Sequence, residues 1–101
     1  MKFLIITSVK EHEKDVLNLF KKAKITAFSD VDINGFKTNS AENLIDNWFS
    51  NSTDKIRSTL FFTFTEKEKI AVLLEAFKQF NQQKNLINPL RAIVLDVAQF
   101  I

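Results

Sequence analysis

Apolar residues recur along this chain at strand-like spacing in four blocks and at the helical period in two, in the order strand, helix, strand, strand, helix, strand. KFLIITS, residues 2–8, is a short run of strand-forming residues, and Ser8 to Glu11 (SVKE) then has the spacing of a capping box, so a helix is expected to start there. Val16, Leu19, Phe20 and Ala23 follow at i, i+3, i+4 and i+7, opposite Glu13, Lys14, Lys21 and Lys22. TAFSDVDIN alternates, with Ala27, Ser29, Val31 and Ile33 on one side and Phe28, Asp30 and Asp32 on the other, and reads as a strand that ends where Asn34-Gly35 permits a turn. IRSTLFFTFT, 56–65, is dense in β-branched and aromatic residues and predicts the third strand. A second capping box, Thr65 to Glu68, precedes a stripe of Ile70, Leu73, Leu74, Phe77 and Phe80. After NQQKNLINP, the run LRAIVLDVAQFI predicts the last strand, with Pro89 tolerated just before or at its start.

This order specifies an α+β, ferredoxin-like βαββαβ sandwich: a four-stranded antiparallel sheet with two helices on one face. At 101 residues the chain is read as one domain, 1–101. Phe3 to Ile6, Leu60 to Phe62 and Ala92 to Leu95 are continuously apolar, whereas a sheet with one solvated face should alternate. A second covered face is therefore expected, and another copy of the chain is the economical cover.

Composition narrows the chemistry. With no cysteine, disulfides, thiolate metal sites and cysteine nucleophiles are excluded, and one histidine leaves little for zinc. The net charge of +2 comes from Lys far more than Arg, interleaved with acids along the chain, which describes a solvated surface better than a nucleic-acid footprint. The opening MKFLIITSVKEHEK has an apolar run too short for a signal peptide or a membrane span, so a cytoplasmic protein with no membrane insertion is expected.

Few residues suggest catalysis. Asp30 and Asp32, at i and i+2 on one strand face, could form an acid/base or metal-binding pair, yet exposed strand acids show the same spacing, and no adjacent histidine completes a site. His12 is expected to be solvated on the polar side of the first helix. GxSxG, HExxH, P-loop and GxGxxG strings are absent. An acylphosphatase-like activity would need an arginine after the first strand, where the chain has TSVKEH. No enzyme and no metal site are expected. RNA binding of the RRM type competes, because Arg57, Phe61 and Phe64 fit part of its third-strand pattern. Thr59, however, stands where a stacking aromatic belongs. That reading exposes Phe61 on an open face, whereas assembly would cover it.

VLNLFKKAKITAFSDVDINGF, with Gly35-Phe36 at its end, the extended connection at about 36–55, and the final strand, helix and strand together resemble the PII-like superfamily of trimeric signalling proteins. A CutA-like or ACT-like module sensing a small ligand or a metal fits nearly the same residues. The PII-like resemblance implies a homotrimer whose sheets line the interior, ligands in clefts between subunits, and a projecting T-loop that touches a protein partner. It points to Gly35, Phe36, Lys37 and Arg91 as cleft residues and extends to a membrane transporter or metal-efflux system as partner. The chain departs from the family in two places. Lys37 replaces a glycine, and KNLINPLR, before the last strand, has no glycine to cradle phosphate, which argues against an adenine nucleotide such as ATP or ADP.

The connection itself holds the sole tryptophan. Ser40 could cap a short helix placing Leu44, Ile45, Trp48 and Phe49 on one side, an aromatic anchor for a partner groove. The same side chains could instead fold back over a sheet edge or a neighbouring subunit.

Overall fold

The computed structural model describes residues 1–38, 53–84 and 87–101. Strand β1 (Lys2–Val9) leads through a 3-10 turn (Lys10–His12) into helix α1 (Glu13–Lys22). Strands β2 (Ser29–Thr38) and β3 (Thr53–Thr65), helix α2 (Lys67–Lys84) and strand β4 (Arg91–Asp96) complete the order. The four strands form one antiparallel sheet in the order β2-β3-β1-β4. This is the ferredoxin-like arrangement expected from the blocks of periodicity.

The expected boundaries change where pairing across strands overrides a local signal. Ser8 caps nothing: it remains in β1 opposite Thr59, and α1 begins only after the 3-10 turn. Thr65 likewise stays in β3, opposite Lys2, and α2 starts at Lys67. Asn34-Gly35 does not turn the chain. Gly35 lies opposite Ile56 without a positive φ, and β2 continues to Thr38, opposite Thr53 at an earlier start of β3 than expected. The final strand is shorter than its apolar run: its pairing with β1 ends at Asp96 opposite Lys2, the first residue of β1, and Val97–Ile101 lie outside the strand.

Both helical stripes enter one core. Val16, Leu19 and Phe20 of α1 and Ile70, Leu73 and Phe77 of α2 are buried against Leu4, Ile6 and Phe61 of the sheet. Phe20 meets Phe61 edge-on, with ring centroids 5.7 Å apart. Alternation along β3 sends Thr59, Phe61 and Thr63 to this helix side and Leu60, Phe62 and Phe64 to the other. Phe61 is therefore fully buried under the helices. The expectation that its exposure would distinguish an open face from an assembled one is corrected, because it belongs to neither.

Candidate ligand cleft and interaction surface

β1 ends where Val9 faces Ser58, but β2 and β3 continue pairing from Asn34 with Arg57 to Thr38 with Thr53. This two-stranded ribbon reaches past the sheet by on the order of 15 Å at a strand's rise per residue. It carries the segment between Thr38 and Thr53. Leu44, Ile45, Trp48 and Phe49 lie outside the described residues.

At the base of the ribbon a cleft of about 270 Å³ is lined by Thr7, Val9, Ile33, Gly35, Phe36, Ile56, Ser58, Pro89 and Arg91, among others. Three of the four expected cleft residues, Gly35, Phe36 and Arg91, thus meet around one space. Lys37 is next on β2, opposite Asp54, with its side chain outside what the structure describes. A Cβ on Gly35 would stand 3.6 Å from both Ile56 O and Ser58 Oγ, an ordinary contact, so neither sterics nor backbone conformation demands glycine here. The Ser58 hydroxyl donates to Ile56 O at 3.2 Å.

Arg91 is positioned by a residue that belongs to no sequence motif. Asn81, near the end of α2, accepts from the Leu90 N–H at 2.8 Å and donates from Nδ2 to the Leu90 carbonyl at 2.9 Å. Both polar backbone groups of buried Leu90 are satisfied by one side chain, which fixes the chain as it enters β4. A weaker signal does exist: Asn81 lies four residues after Phe77, on the buried stripe, where a polar side chain needs a partner.

Of the expected acid pair, which shares one face of β2, Asp32 is held in an ion pair. The Lys10 ammonium lies 2.5 Å from Asp32 Oδ1 and 3.1 Å from Glu13 Oε2. Its hydrogen bond holds the Asp32 carboxyl below the ordinary range, and the same bond raises the Lys10 ammonium. Asp32 is thereby kept as a carboxylate, a poor general acid. Nor is His12 the solvated residue expected. Its ring stands edge-on to Phe80, with centroids 5.7 Å apart, and Nδ1 lies 3.3 Å from Asp15 Oδ2. Among the described residues, no group of three or more His, Asp or Glu side chains could hold a metal ion.

The sheet face away from the helices carries Phe3 and Ile5 of β1, Leu60, Phe62 and Phe64 of β3, Val31 of β2, and Ile93 and Leu95 of β4. Phe3 stacks on Phe64 at 4.7 Å and meets Phe62 edge-on at 6.1 Å. No helix among the described residues covers this face, leaving Val31, Phe64, Ile93 and Leu95 between 47% and 56% exposed. The RRM-like positions do not assemble on it. Arg57 and Phe61 register to the helix side, and only Phe64 of the three points outward.

Two of the described residues before β4 have no backbone N–H to give to a phosphate. Pro89 has no N–H, and that of Leu90 is already donated to Asn81. No helix among the described residues is long and apolar enough to cross a membrane.

No protein-family model and no curated protein matches this sequence. Solved structures do resemble the fold. CPII from Thiomonas intermedia, a nitrogen regulatory PII-like protein bound to ADP, AMP and bicarbonate, superposes with a TM-score of 0.66 at 18% identity over 95% of this chain and 90% of its own. A duf3240 family protein from Shewanella baltica gives a TM-score of 0.61 at 15% identity, over 98% and 91% of the two chains. A putative PII-like signaling protein from Thermus thermophilus gives 0.59 at 15%, over 95% and 84%. Over nearly its whole length, this chain has the fold of the PII-like proteins.

Proposed function

We propose that this protein is a PII-like regulator without catalytic activity, which assembles as a homotrimer through its outer sheet face and acts on a protein partner through the segment at about 36–55. The observation that carries the proposal is the pairing of an uncovered apolar sheet face with a ribbon that extends past the sheet. A large exposed apolar patch marks an interaction site, and a sheet face with no helix over it suits a second copy of the same sheet. The ribbon would hold Leu44, Ile45, Trp48 and Phe49 clear of that interface, where tryptophan and its apolar neighbours serve as binding anchors. Gly35, Phe36, Lys37 and Arg91 then serve an effector cleft at the foot of the ribbon. A cytoplasmic location and a membrane transporter or metal-efflux system as partner are what the PII-like resemblance adds.

The sole tryptophan makes the loop testable without the partner. Trp48 fluorescence in the free protein is expected to be that of a water-exposed indole, quenched by acrylamide nearly as free tryptophan is. Emission from an apolar environment, protected from quencher, would mean that the anchor is packed within the assembly and would reject the contact role.

A further inference from the structure

We propose that a groove beside α1, on the helix side of the sheet, docks an acidic amphipathic helix of a partner protein. The inference goes beyond the function proposed above and uses neither the outer sheet face nor the segment at about 36–55. After α1 the chain doubles back: the Ile25 N–H bonds to Phe20 O at 3.0 Å, and the Phe28 ring rests on that of Phe20 with centroids 4.4 Å apart. Between α1 and this returning stretch lies a groove of about 810 Å³ with apolar walls of Leu17, Phe20, Ile25 and Phe28. Lys14, Lys21 and Lys24 line it as well. All three lysines are exposed, and none makes an ion pair among the described residues. Nor does a described acid line the groove, and the sequence has none from Val16 to Ser29. Glu13 and Asp15, earlier on α1, face Lys10 and His12, while Asp30, two residues past Phe28, bonds to none of the three lysines.

Lys24 adds an independent observation. It holds the left-handed conformation, φ 59°, at a helix end where glycine is the ordinary choice. A side chain kept at such a position against the backbone's preference points to a use for it, and this one lines the groove. The form of the groove then selects the occupant. Phe20 and Ile25 are buried and Leu17 and Phe28 half-buried, so the apolar surface is recessed, whereas a membrane-binding face needs apolar side chains that protrude. Lys14 and Lys21 lie two helical turns, about 10 Å, apart. The single head group of a small amphiphile reaches one of them, but acids repeated along a helix reach both. An amphipathic helix fills a groove with apolar residues at i, i+3 and i+7, and flanking acids set its register and speed its encounter with the lysines.

The probe is a stapled helical peptide of about 15 residues, with leucine at i, i+3 and i+7 and glutamate on both flanks, titrated into the isotopically labelled full chain by NMR. Saturable shifts are expected at Leu17, Ile25, Thr26 and Phe28, weaker as salt is raised, and absent with serine in place of the leucines. Lys14→Glu combined with Lys21→Glu should weaken binding by roughly 10-fold, and that variant should prefer the same peptide with lysine in place of glutamate. Such a reversal of preference does not come from a structural defect. If the variant does not fold, the wild-type preference for the glutamate peptide over the lysine one decides the same question. No saturable shift, an equal response to a scrambled peptide, or vesicles of phosphatidylglycerol shifting these residues where the peptide does not, overturns the inference. Molar mass by light scattering on the same samples reads the assembly separately. A monomer that binds the peptide supports the groove and removes the trimer, and a multimer that ignores it overturns the groove and leaves the assembly standing.

Discussion

Lys24 has φ 59°, the one positive value for a non-glycine among the described residues. It follows the C-cap Ala23, and its N–H bonds to Lys21 O at 3.1 Å, while the Ile25 N–H reaches back to Phe20 O at 3.0 Å. These are the two bonds of a Schellman motif, with Ile25 and Phe20 both buried as its apolar contact. A side chain in this conformation costs about 1–2 kcal/mol, partly offset by glycine's greater freedom when unfolded. Lys24→Gly should therefore stabilise the fold by about 0.5–1 kcal/mol in urea denaturation, and a loss of stability would mean that the lysine side chain contributes something the cap geometry does not account for. On the neighbouring strand, Asp32 should titrate below an ordinary aspartate because the Lys10 ammonium bonds to its carboxylate. A depressed folded pKa means that the unfolded state binds more protons in acid. The contribution is present above the unfolded aspartate range and is lost as pH falls through the folded value. Asp96, bonded by Lys2 at the other edge, adds a contribution of the same sign. Both carboxylates are exposed, so raising salt should return their titrations toward ordinary values, as carboxyl carbon NMR would report. A carboxyl of Asp32 that titrates normally at low salt would dissolve the Lys10 contact.

The elements follow from periodicity, but their ends do not, and the difference has a physical basis. Val16, Leu19 and Phe20, and Ile70, Leu73 and Phe77, lie where their spacing predicts, because burying a stripe is an average over many side chains. At Ser8, Gly35 and Thr65 a local rule for caps or turns yields to a partner on another strand: Thr59, Ile56 and Lys2 respectively. Phe61 shows the same limit within a strand. LFFTF alternates between two faces, and only the register with Ile6 decides which phenylalanine goes under the helices. In the cleft, Gly35, Phe36 and Arg91 are legible through resemblance, whereas Asn81 is not, since its partner is a backbone nine residues away. Asn81→Ala leaves the N–H and carbonyl of buried Leu90 without partners and should cost about 1–3 kcal/mol in urea denaturation. Asn81→Asp should be no better, because it keeps the acceptor but sets a charge against the carbonyl. A cost near zero for Asn81→Ala would mean that α2 does not clamp the start of β4.

For the molecule as a whole, the two sheet faces have different needs. One is closed by α1 and α2, and the other presents phenylalanine, isoleucine, leucine and valine from all four strands with Arg91 at its end. A lone chain would leave that surface in water, at a cost to solubility that proteins seldom carry. The proposed assembly and the proposed effector cleft depend on how it is covered. The first measurement is therefore molar mass by light scattering on a size-exclusion column at micromolar concentration. Three chains of 11.7 kDa predict about 35 kDa, whereas a single species at 11.7 kDa would contradict the covered face and the trimer built on it.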